Sequence, residues 1–207
     1  KSRKVTFRWL EKTPNHAYFL DQILVCYPRF RAVNIIRHPV AAVLSRQKSF
    51  PFNAGTPVSD LAAQWVRSIR AADDFAHGHP EAILSVRYED LVEDPEGIMG
   101  RICEFLSLPL DVPALAEYRS VAETVIQPGE TWKQGVLEPL RNTNARYLRD
   151  AALRDTLRIQ SVTGACMTRL QYPLLHPWIQ FCYDRLWSRT IPPSGTPSAD
   201  HAVSRER

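Results

Sequence analysis

No apolar run in the 207 residues reaches the roughly 18 needed to cross a membrane. The nearest, residues 174–187, is broken by Asp184 and Arg185. Cysteine is scarce and scattered: Cys26, Cys103, Cys166 and Cys182 form no CxxC pair. That pattern argues for buried thiols and against a zinc site or a disulfide framework. The eight glycines never gather into a Gly-rich cradle for phosphate. There is no internal repeat, no signal peptide is visible, and Lys1 rather than methionine stands first, so that absence carries little weight. Neither sign of charge dominates, since 26 basic residues against 22 acidic ones leave +4. Such a balance suits an anionic ligand but falls short of a nucleic-acid-binding surface. With 44% apolar and 23% charged residues, the chain has the composition of one domain with a real core.

What is present alternates between strand-like and helix-like segments. Val5 to Leu10 is rich in β-formers and predicts a strand. Thr13 and Pro14 read as an N-cap and first helical position. Tyr18, Phe19, Ile23, Leu24 and Tyr27 then follow at helical spacing until Pro28. Ala32 to Ile36, apolar apart from Asn34, reads as a strand buried on both faces. Pro39 opens a helix carrying Val40, Val43 and Leu44. A third helix is marked by Leu61, Trp65, Ile69, Ala72 and Phe75. Ile83 to Val86 is the next strand, and Asp94 with Pro95 caps a helix that turns Ile98, Ile102, Phe105 and Leu106 inward.

Beyond residue 110 the signals loosen. A loop with Pro128, Gly129 and Gly135 leads to one long helical stretch near 145–170. Trp178, Phe181, Cys182 and Leu186 suggest a last amphipathic helix. After it come the prolines and serines of a tail expected to be disordered. The organisation expected is one domain over 1–188 and a tail over 189–207. Strand–helix alternation predicts a three-layer α/β/α fold whose central parallel sheet has neighbouring strands near 5–11, 32–37 and 82–87. Ligands bind such sheets at the carboxyl ends of the strands. Those ends carry Glu11-Lys12, Arg37-His38 and Arg87-Tyr88.

The strongest chemistry lies in Ile35-Ile36-Arg37-His38-Pro39 with Ser45 eight residues after the arginine. A guanidinium offers a flat, bidentate fork to a phosphate, and a serine hydroxyl donates one more bond. The following helix N-terminus adds favourable potential. Taken alone, the same residues also describe a salt-bridged arginine and a helix serine. Lys12, at a strand-to-helix junction, can neutralise charge on a transferring group or simply lie on the surface. His16 can serve as a general base or makes a local first-turn bond. Tyr88 can pack its ring on a base, while Glu89 and Asp90 read as orienting and capping groups rather than bases.

In this order and at these spacings the three motifs resemble sulfotransferases, especially the branch with protein-tyrosine and many bacterial enzymes. Heparan sulfate sulfotransferases share a similar Glu-Lys-Thr/Ser-Pro stretch. The likeness runs from about Trp9 to Tyr172. It implies a P-loop-like α/β fold and the co-substrate 3′-phosphoadenosine 5′-phosphosulfate, with no metal. By the resemblance, Arg37 and Ser45 hold the 3′-phosphate, Tyr88 lies against the nucleotide and Lys12 stands near the sulfonate. Thr124-Val125-Ile126-Gln127-Pro128 looks like a loop over the nucleotide, which implies a binding role for Gln127. Trp132-Lys133 is similar to a later Trp-Lys element and adds Lys133. The last helix also looks like the family's, although Gln171 stands where a glycine is more usual.

One departure matters. The family's 5′-phosphosulfate loop, a basic residue with Ser-Gly-Thr-Thr after the first strand, does not occur in the sequence. The expectation is therefore a chain truncated before Lys1, lacking the first strand and that loop and inactive as it stands. The acceptor is a carbohydrate, peptide or small molecule bearing a hydroxyl or amine, and no nucleic-acid partner is expected. A kinase on a related α/β fold, or a non-catalytic nucleotide-binding fragment, are the competing readings. The scattered thiols point to a bacterial cytoplasm, with a Golgi lumen as the alternative.

Overall fold

The run Ala32–Ile36 forms strand β1 and Ile83–Arg87 forms β2 in a computed structural model that describes residues 8–49, 53–126 and 135–174. The two strands pair in parallel, in register from Ala32 opposite Ile83 to Ile36 opposite Arg87. Parallel neighbours need a crossover rather than a tight turn. Helices α2 (Pro39–Ser49) and α3 (Val58–Gly78) supply it. Before β1 come a short 3-10 helix, Pro14–Tyr18, and α1, Leu20–Cys26. After β2 come α4 (Tyr88–Glu93), α5 (Pro95–Phe105), α6 (Val112–Ala116), α7 (Tyr118–Val125), α8 (Asn144–Asp150) and α9 (Leu153–Arg169). The chain divides into two units, 1–174 and 175–207, and every described residue lies in the first.

Helix α3 is the spine, and its periodicity is the reason. Leu61, Ile69, Ala72 and Phe75 are buried on one face, with Trp65 half-buried beside them. Three apolar clusters form along that stripe. Leu61 packs with Val40, Val43, Leu44, Val58 and Ile159. Ile69 meets Ile36, Met167 and Tyr172. Ala72 and Phe75 pack on Leu20, Ala82 and Ile83. A fourth cluster joins Val86 to Ile98 and Ile102 of α5, the inward positions that the spacing predicts.

The start of α5 and the end of α9 follow the capping chemistry. Asp94 accepts a hydrogen bond from the Gly97 amide at 2.9 Å, and a Cβ on Gly97 would lie 2.0 Å from the Asp94 carboxylate. At α9 the chain turns at Gln171, with φ of 57°, while the Tyr172 amide donates back to Met167 O at 2.9 Å and the Gln171 amide to Thr168 O at 3.1 Å. This is the left-handed helix stop that glycine adopts most easily. A glutamine holds it here. Thr13, expected as a side-chain cap, sends its hydroxyl to Glu11 at 2.5 Å instead.

Several expectations need correction. Strand β1 is not buried on both faces, since Ile36 is buried but Ile35 is exposed. Residues 8–11 form no strand, and residues 5–7 lie outside the described set. A strand needs a ladder partner for its amides and carbonyls, and among the described residues β1 and β2 pair only with each other. The Arg8 guanidinium reaches instead to the carbonyl of Leu106 at 2.5 Å, beyond α5. The helical stretch 145–170 is two helices, parted at Ala151 and Ala152, where the backbone is extended. The cysteines are not uniformly buried: Cys166 is, Cys103 is partly so and Cys26 is exposed. Cys26 ends a short helix with its outer face in solvent. Cys182, the last expected helix and the tail over 189–207 lie outside the described residues.

Candidate functional site

The register that pairs Ile36 with Arg87 decides the geometry of the site. The residues that follow, Arg37 and Tyr88, leave adjacent strands side by side, because paired strands run about 4.8 Å apart. The Arg37 guanidinium lies over the Tyr88 ring at 4.6 Å and within 5.4 Å of the Tyr147 ring. Its Nε donates to Asn144 Oδ1 at 2.8 Å and one Nη to Thr143 Oγ1 at 2.8 Å. Both partners are neutral, and among the described residues no carboxylate pairs with Arg37. A guanidinium has five N–H donors in a fixed fork. Among the described residues two are used, so a clamped cation with three further donors stands at the carboxyl end of β1. The Tyr88 hydroxyl donates to Arg141 O at 3.1 Å, which fixes the ring under it.

Beneath Arg37 lies a carboxylate hub. Glu89 accepts the His38 amide at 2.9 Å on Oε1 and the Tyr172 hydroxyl at 2.9 Å on Oε2. Oε1 also takes the Asn144 side-chain amide. Arg87 Nε is 3.9 Å from the same carboxylate, and its guanidinium stacks 4.4 Å from the Tyr172 ring. Glu89 thus sits at the N-terminus of α2, where the positive end of the helix favours a carboxylate. It also orients Asn144, which orients Arg37. The expected orienting role of Glu89 is what the geometry provides. The hub holds the Tyr172 hydroxyl in its neutral form: burial, then the Glu89 charge and hydrogen bond, push its pKa well above 10.

His38 is buried beside this hub, its ring 5.2 Å from Tyr172 and its Nδ1 without a hydrogen-bond partner. Burial lowers its pKa below 6.5; Glu89 opposes, while Arg87 and Arg37 add to the lowering. Between the lowered value and 6.5 the unfolded chain binds more protons than the folded one. Stability therefore rises with pH across that window and is lost as pH falls through it. Urea midpoints measured from about pH 7 down to about pH 5 should fall, and the fall should be shallower in His38→Asn. An identical slope in that variant would assign the effect to carboxylates elsewhere.

The other expected site residues are placed less closely. Ser45 is half-buried on α2, and no hydrogen bond joins it to Arg37. Lys12 is exposed in the irregular segment before the 3-10 helix, not at a strand end. His16 lies within that helix, its Nδ1 3.9 Å from Glu11. Gln127 and Lys133 lie outside the described residues. Sequence reasoning missed Thr143, Asn144 and Tyr147, more than a hundred residues from Arg37. One signal was available. Asn142-Thr143-Asn144 before a helical stretch is an N-cap composition, and Thr143 is the N-cap of α8.

A parallel strand–helix–strand crossover defines an α/β domain, and among the described residues the arginine at the end of its first strand pairs with no carboxylate. The chain belongs to the sulfotransferase family, whose model matches residues 2–112. It is also 25% identical over 119 residues to an uncharacterized protein of Aquifex aeolicus (strain VF5), a match covering 55% of this chain and 16% of that one. The chain therefore spans a small part of that relative's length. No solved structure matches. Among the described residues there is no cluster of metal-ligating side chains and no helix long and apolar enough to cross a membrane.

Proposed function

We propose that the chain carries the 3′-phosphate side of a sulfotransferase that moves a sulfonate from 3′-phosphoadenosine 5′-phosphosulfate to a hydroxyl or amine. The observation that carries the reading is Arg37, a cation clamped by neutral partners at a strand's carboxyl end, with donors to spare. In this proposal Arg37 and Ser45 grip the 3′-phosphate. Tyr88 and the segment with Gln127 enclose the adenosine, and Lys133 adds positive charge.

Sulfuryl transfer breaks the bond between sulfur and the donor's phosphate oxygen and forms one between sulfur and the acceptor. The nucleotide bisphosphate departs, and the acceptor's proton goes to a base. Lys12 steadies the sulfonate oxygens and His16 takes the proton, with Glu11 near enough to hold the imidazolium. Basic side chains supply the charge that a metal supplies in phosphoryl transfer. The same reading extends the two-stranded sheet to a three-layer, P-loop-like sulfotransferase fold. Ile35, 54% exposed on β1, supports a further covering element. A bacterial cytoplasm is the compartment that goes with the scattered thiols.

Calorimetric titration of the chain with 3′-phosphoadenosine 5′-phosphate and with 5′-AMP tests the reading. The 3′-phosphorylated nucleotide should bind at least about tenfold more tightly, since each charge-assisted bond contributes roughly 1.5–3 kcal/mol. Equal binding of the two would remove the 3′-phosphate assignment and with it the proposal.

A further inference from the structure

A cleft of about 590 Å³ opens between the 3-10 helix, α2 and α3. Its charge is lopsided. Arg46 of α2 and Arg67 and Arg70 of α3 line it, against the single carboxylate of Asp74. Among the described residues none of the three guanidiniums is in an ion pair. Arg67 and Arg70 stand one turn apart on one face of α3, where like charges repel. Three converging, unneutralised guanidiniums form a ready receptor for a carboxylate or sulfate, which they bind in bidentate fashion.

The cleft is tied to the proposed reaction at both ends. Asn15 and Tyr18 of the 3-10 helix form one wall. The Tyr18 hydroxyl fixes that helix to α3 through Ser68 Oγ at 2.9 Å and Gln64 O at 3.2 Å. Lys12 and His16 belong to the same short segment, so the cleft abuts the groups assigned to the sulfonate and the proton. On α2, Arg46 directly follows Ser45, and successive helical residues point about 100° apart. The cleft and the 3′-phosphate site therefore share a helix but no residue. Amides, a phenol, guanidiniums and the Asp74 carboxylate edge the cleft, with only Ala71 among its residues apolar, and these head groups suit a guest that bears polar groups.

We infer that this cleft is the acceptor subsite, and that it selects a small hydroxyl compound that also carries a carboxylate or sulfate. The inference rests on the sulfotransferase reading above. The anionic group pairs with Arg46, Arg67 and Arg70 while the hydroxyl turns toward Lys12 and His16.

The test uses matched probes on the full chain, methyl β-glucuronide and methyl β-glucoside, which differ by a carboxylate. Ligand-observed NMR titration should show the glucuronide binding and the glucoside binding about tenfold more weakly or not at all. In the double variant Arg67→Gln/Arg70→Gln the glucuronide preference should vanish. Both side chains are exposed, so the fold should tolerate the change. Titration of the same variant with 3′-phosphoadenosine 5′-phosphate checks that it has, and should match the unaltered chain. Absence of glucuronide binding, equal binding of the two probes, or a preference that survives in the variant would overturn the acceptor subsite. Loss of nucleotide discrimination in the unaltered chain would instead bring down the sulfotransferase reading, leaving the anion cleft to be judged on its own arm.

Discussion

Replacing Arg37 with alanine should weaken binding of 3′-phosphoadenosine 5′-phosphate by about tenfold to a hundredfold or more, the loss expected from one or two charge-assisted bonds of roughly 1.5–3 kcal/mol each. Binding of 5′-AMP, which lacks the 3′-phosphate, should stay nearly unchanged. Arg37 also braces Thr143 and Asn144, so part of any loss could come from a loosened α8. The two nucleotides separate these causes. A loosened site weakens both, and a lost phosphate contact weakens one. Arg37→Lys is the informative companion: it keeps the charge but loses the planar fork, and should fall between the other two proteins. Equal loss for both nucleotides would make Arg37 a structural residue.

The largest stability effect is expected at Glu89. Its carboxylate joins the N-terminus of α2, the Asn144 amide, the Tyr172 hydroxyl and Arg87, and its side chain is 15% exposed. Removing one partner of a largely buried charged network leaves the others unsatisfied, which costs about 3–5 kcal/mol. Glu89→Ala should therefore lower the urea midpoint with little change in slope. Glu89→Gln keeps the shape and an acceptor for the His38 amide, so it should lose less. A Glu89→Ala protein within about 1 kcal/mol of the original would show that these bonds contribute little net stability. The same variant should weaken nucleotide binding, because Asn144 then no longer holds the Arg37 fork in place.

Much of the fold was legible because the relevant signals are local. Proline at the first position of α2 and α5, the Asp94 cap and the stripe from Leu61 to Phe75 all act within a few residues. Each therefore appears in the sequence at the place where it works. The strand expected at 5–11 fails over its described residues, 8–11, for the opposite reason. Its β-forming residues carry a preference, but a strand exists only when another strand supplies the ladder. The helix over 145–170 failed at Ala151-Ala152, two residues with no helix-breaking chemistry, where tertiary packing overrode propensity. Gln171 was noted as standing in place of glycine, yet only the backbone reveals that it takes the left-handed turn.

The site divides along the same line. By itself the sequence determined that an arginine leaves one strand into a helix opened by proline, and that a tyrosine follows a second strand. These are consequences of residue type and short spacing. That those strands are neighbours was expected from the alternation of strand and helix, but only the tertiary structure decided the register that sets Arg37 over Tyr88. It alone brought Thr143, Asn144 and Tyr147 around the guanidinium, and made Glu89 the hub beneath it. It also gathered Arg46, Arg67 and Arg70 from two helices onto one cleft. The physical reason is common to all of these. Hydrogen bonds and charge pairs act over a few ångströms in space, whatever the distance along the chain, and which groups come that close is set by how the apolar stripes pack.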